Sequence, residues 1–208
     1  MERFIFDLDN TLLTGDFKEE NNLFRDRLSA KDAENFIEKK FDLLMEYEAT
    51  KERYDINILS QFLSDKSGIK ISSNIIEEWI DYNSNMKDII NPDAFEVLTY
   101  LRDKNKSLAI LTNWFEKTQI ARLKKAGLLD FFDDVYAGDS YIKPNKQAYI
   151  NACGNFDVTE CIIIGDNLGK DVMALRELGI NSIYYNENNL ESVVKPSIKN
   201  LKKIKEMY

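Results

Sequence analysis

The chain has 208 residues, 44% of them apolar, with only 8 glycines and 3 prolines. That composition supports an ordinary buried core and excludes a fibrous or disordered protein. A net charge of −8 without a basic patch argues against a nucleic-acid backbone as partner, and no apolar stretch approaches the ~20 residues that span a bilayer.

Histidine is absent. This removes Ser-His-Asp and Cys-His triads, phosphohistidine chemistry and the zinc sites built on imidazole. Any proton transfer falls to Asp, Glu, Lys, Tyr or Cys.

In chain order, the first apolar run is RFIFD, residues 3–7, and it stops at Asp7-Leu8-Asp9. Continuous hydrophobicity marks a parallel strand covered on both faces. If the chain stays extended, Asp7 and Asp9 point the same way, and their repulsion calls for a metal or a shared proton. Residues 16–90 then break the pattern, with 17 acids against 11 bases and few strand signals. Three helical stretches are expected there, over 29–49, 52–66 and 72–86. Ser29 with Asp32 three positions on reads as a helix start, and Leu43, Leu44 and Tyr47, then Ile58, Leu59, Phe62 and Leu63, supply apolar stripes.

From residue 91 strands and helices alternate. Asn91-Pro92 reads as the N-cap and first residue of a helix carrying Ala94, Leu98 and Leu101. Strands are expected at 107–113, 133–138, 161–166 and 182–185. Helices lie between them, over 115–126 closed by Gly127, over 144–153, and over 169–178 closed by Gly179. This alternation predicts an α/β fold, a Rossmann-like doubly wound parallel sheet. Its core would comprise residues 1–15 and 91–208, with residues 16–90 as an inserted α-helical domain. The basic stretch KPSIKNLKKIKEMY reads as a closing turn and helix with Ile198, Leu201 and Ile204 against the core. Cys153 and Cys161 read as reduced structural thiols, and no secretory leader precedes the first strand, so a cytoplasmic location is expected.

Ligands of such sheets bind beyond the carboxyl ends of the strands. The residues expected there are Asp7 and Asp9, Thr112 and Asn113, Lys143-Pro144, and Gly165-Asp166-Asn167 with Asp171 five residues beyond Asp166. Four carboxylates facing one ammonium need a further cation. An all-oxygen donor set selects a hard ion, usually Mg²⁺, and such a site suits phosphoryl transfer.

These segments, in this order, resemble the four motifs of the haloacid dehalogenase superfamily across residues 4–171, and the helical insert resembles that family's C1-type cap. The resemblance implies that Asp7 is the nucleophile, forming an aspartyl-phosphate. It implies that Asp9 protonates the leaving oxygen, then takes a proton from the attacking water, and offers its backbone carbonyl to Mg²⁺. Leu8, Thr112, Asn113 and Lys143 would bind the phosphate, with Lys143 also neutralising Asp7. Asp166 would complete the metal site with Asp7 and Asp9, and Asp171 would act on the metal directly, through water, or by orienting Lys143.

An aspartate at the second position favours an oxygen leaving group over a halide. The expectation is therefore an Mg²⁺-dependent phosphatase acting on a small phosphorylated metabolite, a nucleotide or a sugar phosphate. The alternatives are a sugar-phosphate mutase, disfavoured by the lack of histidine, a phosphonate hydrolase, for which no insert lysine has a telling context, and a catalytically silent ligand-binding protein, disfavoured by the intact motif set. Trp114 and Phe115 could stack on a base or pack between core and cap, and Tyr47, Tyr54, Trp79 and Tyr82 could line a cleft or build the insert's own core. The oligomeric state has no signature in the sequence.

Overall fold

The computed structural model describes residues 2–187 and 194–208. The chain begins with β1 (Arg3–Phe6) and β2 (Leu13–Gly15), then runs through α1 (Asn21–Arg27), α2 (Ala30–Thr50), α3 (Ile56–Ser67) and α4 (Ser73–Asn85) to β3 (Asp88–Ile90). After it come α5 (Ala94–Asp103), β4 (Ser107–Leu111), α6 (Glu116–Lys125), β5 (Asp134–Tyr136), α7 (Lys146–Cys153), β6 (Cys161–Gly165), β7 (Asn181–Tyr185), β8 (Ser197–Ile198) and α8 (Ile204–Met207).

Six strands form one sheet in the order β5-β4-β1-β6-β7-β8, and each pairing between neighbours is parallel. The Rossmann-like α/β architecture expected from the alternation is the one observed. β1 sits inside the sheet and is buried throughout. Its side chains alternate between faces. Phe4 and Phe6 pack with Val97, Leu98 and Leu101 of α5 and with Leu201 and Ile204. Ile5 packs on the other face with Ala148, Tyr149 and Ala152 of α7. The C-terminal stretch closes the first face as expected, and it adds β8, a two-residue edge strand beside β7.

β2 and β3 form a separate antiparallel pair with Leu13 opposite Ile90 and Gly15 opposite Asp88. The chain thus leaves the sheet and returns to it side by side. Between them α1 to α4 gather their own apolar cluster, including Phe24, Phe36, Tyr47, Leu59, Leu63 and Trp79. Phe115 and Ile142 join it from loops of the sheet side. Among the described residues no helix is long and apolar enough to cross a membrane.

Several boundaries differ from the sequence-based expectation. α3 starts at Ile56, not near residue 52, because Asp55 accepts from the Asn57 and Ile58 amides. The preceding residues dock the insert instead: the Tyr54 amide donates to the Gly138 carbonyl at 2.7 Å, and the Ile142 amide to the Glu52 carbonyl at 2.8 Å. Asn91-Pro92 forms a turn in which Asn91 Oδ1 accepts from the Asp93 amide, and α5 begins at Ala94. The expected helix at 169–178 is a wide π-type turn over Leu168–Val172 followed by a tight 3-10 stretch over Met173–Leu178. The buried Asp171 carboxylate there reaches back to the Asn167 amide. α1, β2 and β3 were not expected; each is short, and α1 contributes Leu23 and Phe24 to the insert's core.

Candidate active site

The sheet delivers its polar residues to one edge. β6 holds the Asp7 amide through the Ile164 carbonyl at 2.8 Å, which carries the ladder one residue past β1. Lys143 Nζ then donates to Asp7 Oδ1 at 2.8 Å and to Asp171 Oδ1 at 2.7 Å. All three side chains are buried. Asn113 fixes the backbone of Lys143 from both sides: its Oδ1 accepts from the Lys143 amide at 2.8 Å, and its Nδ2 donates to the Lys143 carbonyl at 3.3 Å. Asp171 Oδ2 accepts from the Asn167 amide at 3.1 Å. It fits there because residue 165 is glycine: a Cβ at that position would stand 2.3 Å from Asp171 Oδ2.

Burial pushes the Asp7 carboxyl well above the usual range, the Lys143 ammonium opposes this, and Asp171 adds to it. Burial also raises Asp166, with the Asp171 charge contributing. For Lys143 burial disfavours the ammonium, but Asp171 and Asp7 outweigh it and hold its pKa above the ordinary value. Asp7, Asp166 and Asp171 each offer an oxygen within 4.8 Å of the others. Three crowded carboxylates with one lysine, and no nitrogen or sulfur donor, fit a hard divalent cation, which would offset the burial and mutual repulsion that raise Asp7 and Asp166.

Asp9 is placed differently. Its Oδ1 lies 2.7 Å from Arg122 Nη2, and its Oδ2 accepts from Gln119 Nε2 at 3.3 Å. The expectation that Asp7 and Asp9 converge on one spot holds only in part. Both line a cavity of ≈ 180 Å³ with Thr112, Asn113, Lys143 and Asp166, but their carboxylates engage separate partners. The strand ends at Phe6, and Asn10 takes a left-handed φ of 57°, so the period-two geometry does not extend to Asp9. The Asp9 carboxylate is accordingly outside the three-aspartate cluster. Leu8, expected to touch a ligand, has its side chain buried in the sheet core, so any contact it makes with a ligand runs through its backbone. Thr112 Oγ1 accepts from Gln119 Nε2 at 3.1 Å.

Sequence reasoning missed Gln119, Arg122, Asp88, Glu48 and Lys170. Arg122 is fully buried. Its Nη2 donates to Asp88 Oδ1 at 2.7 Å, its Nε to Asp88 Oδ2 at 3.1 Å, and its Nη1 to Gln119 Oε1 at 2.8 Å. A usable signal existed, since Gln119 and Arg122 sit three apart beside Leu123 on the buried face of α6, where an amphipathic helix ordinarily carries apolar residues. Glu48 of α2 and Lys170 form an ion pair, and both line this cavity.

Trp114 is used for packing. Its ring lies 4.8 Å from that of Trp79, 5.2 Å from Tyr54 and 5.2 Å from Phe115. Tyr47 belongs to the insert's core, and Tyr82 donates to the Glu19 carbonyl at the surface. Cys153 and Cys161 are free and buried.

A family model described as haloacid dehalogenase-like hydrolase matches residues 1–179. Among characterised relatives, the pyrimidine 5'-nucleotidase YjjG of Escherichia coli is 29% identical over 105 residues, covering 48% of this chain and 46% of that protein. The phosphoglycolate phosphatase of Nitrosospira multiformis is 36% identical over 92 residues, covering 42% of this chain and 40% of that one. The chain thus spans about half the length of the curated relatives it matches. The fold resembles that of a HAD phosphatase from Thermococcus onnurineus, with a TM-score of 0.70, 24% identity and coverage of 100% and 97% of the two chains. It also resembles the putative HAD-hydrolase YfnB from Bacillus subtilis bound to magnesium, with a TM-score of 0.69, 22% identity and coverage of 99% and 97%.

Proposed function

This chain belongs to the haloacid dehalogenase-like hydrolases, and from that premise we propose that it is an Mg²⁺-dependent phosphatase of small phosphate monoesters, working through an aspartyl-phosphate on Asp7. The observation that carries this reading is Lys143 Nζ held between Asp7 and Asp171, with Asp9 on the same cavity. Relatives named for hydrolysing nucleotides and phosphoglycolate support it. We assign residues 1–15 and 91–208 to the catalytic core and residues 16–90 to a cap of the C1 type, and two buried free thiols suit a reducing cytoplasm.

Asp7 attacks phosphorus through a carboxylate oxygen as the bond to the leaving oxygen breaks, and Asp9 supplies the proton that the departing alkoxide needs. Water then attacks the phosphoryl group carried by Asp7, Asp9 takes its proton, and phosphate leaves with the Asp7 carboxylate restored. Lys143 balances the negative charge of Asp7 and of the phosphoryl oxygens throughout. Thr112 and Asn113, at the end of β4, hold phosphate oxygens. Mg²⁺ bound by Asp7, Asp166 and the Asp9 carbonyl, with Asp171 behind them, would neutralise charge on the transferring group.

The test is phosphate release from a panel of monoesters with Mg²⁺, with EDTA, and in Asp7→Asn. Release that needs the metal and disappears in a folded Asp7→Asn protein is expected. Full activity in that variant would overturn the mechanism.

A further inference from the structure

A second cavity, of ≈ 140 Å³, lies between the helical insert and the sheet, and Asp9, Glu48 and Asn113 line both it and the phosphate cavity. Asp9 is the group that meets the leaving oxygen in the proposed reaction. The part of the substrate beyond that oxygen therefore extends into this chamber, and the charges on its walls decide what is accepted.

Those walls carry Asp9, Glu20 and Glu48 against one cation, Arg122, and that guanidinium is already shared between Asp9 and Asp88. Glu20 is buried, paired with Lys40 and accepting from Trp79 Nε1 at 2.5 Å. Glu48 is paired with Lys170 and accepts from the Tyr54 hydroxyl at 2.7 Å. Among the described residues, no lining cation is left to receive an acid. The lining does hold neutral polar groups in want of partners. Asn83 Oδ1 and Trp114 Nε1 are both buried without a hydrogen bond, one an acceptor and one a donor, and Asn83 is only 4% exposed. Buried polar atoms are nearly always bonded, so this pair suits hydroxyl or N–H groups brought by a substrate.

We propose that the site selects phosphate esters of uncharged, hydrogen-bonding alcohols and rejects esters whose leaving group carries a carboxylate or a second phosphate. The inference rests on the phosphatase reading and narrows it. Two sources share this chemistry, nucleosides and uncharged sugars, whereas glycolate and the sugar bisphosphates fall on the rejected side. Like charges brought together in a poorly solvated cleft are strongly disfavoured.

The experiment compares kcat/KM for a nucleoside 5'-monophosphate, a hexose 6-phosphate, 2-phosphoglycolate, a sugar bisphosphate and p-nitrophenyl phosphate, in the native protein and in Glu48→Gln. A preference of about tenfold or more for one of the two uncharged-alcohol esters over both acidic ones is expected. The better of those two esters identifies the source. In Glu48→Gln the ratio of acidic to neutral substrate should rise several-fold, because a negative wall is lost and Lys170 is released. Taking the ratio within each protein removes any general loss of activity. Hydrolysis of p-nitrophenyl phosphate with an acidic ester equal or preferred overturns the proposal alone, as does an unchanged ratio in the variant. Failure to hydrolyse any ester overturns the phosphatase reading and the proposal with it.

Discussion

Arg122 Nη2 lies 2.7 Å from Asp9 Oδ1, and the same guanidinium grips Asp88 of β3, the strand by which the chain returns from the helical insert. One buried cation thus ties the Asp9 carboxylate to the neck of the insert. Arg122→Met should lower kcat by about 10²-fold through misplacement of Asp9, and it should lower stability by about 3–5 kcal/mol by stranding Asp88. Arg122→Lys, which keeps a cation between Asp9 and Asp88, should recover part of both losses, read by kcat and by urea denaturation.

Lys143 neutralises two buried carboxylates at once. Lys143→Met leaves both without their cation and should cost about 3–5 kcal/mol of stability at neutral pH, read by urea denaturation. The loss should be less than additive with that of Asp7→Asn, because the second substitution removes one of the stranded charges.

Gly165 has no room for a side chain: an added Cβ would sit 2.3 Å from Asp171 Oδ2 and 2.7 Å from Asp171 Cβ. Gly165→Ala should push Asp171 off Lys143, lowering stability by about 1–3 kcal/mol and depressing turnover. A melting temperature and activity equal to the native protein's would show that Asp171 is free to yield.

Alkali should loosen the insert. Burial raises the Tyr54 hydroxyl well above its usual range, with Glu48 adding to the shift, and burial raises Tyr47 in the same cluster. An acid whose pKa is raised by folding binds its proton more tightly in the folded state. Its contribution is intact below the unfolded value of about 10 and fades as pH rises from there through the folded value. Melting temperature measured from pH 8 to 11 should fall through the upper part of that range, and Tyr54→Phe should flatten the fall.

Much of the fold was legible in sequence because it is written in local periods. Continuous apolar runs gave β1, β4 and β6, since a strand covered on both faces needs apolar residues on both. Apolar stripes pointed to α2 and α3, and the Ser29 cap sits where its hydroxyl accepts from the Asp32 amide. The helix expected at 169–178 was misread because a period says where a segment buries its face and not how tightly it winds; the winding there accompanies a buried Asp171 carboxylate that accepts from the Asn167 amide four residues back and from Lys143 Nζ.

The chain by itself determined which carboxylates stand at the ends of which strands, and that a site with so many acids, one lysine and no histidine calls for a hard cation. Tertiary structure alone decided which of them share a partner. Lys143 meets Asp7 across 136 positions, Gln119 meets Asp9 across 110, and Arg122 meets Asp88 across 34. Such pairings depend on how sheet, α6 and insert pack in space, and side-chain periodicity carries no information about a neighbour that far along the chain. The same holds for the acidic chamber, whose walls come from segments that only the docking of insert on sheet brings together.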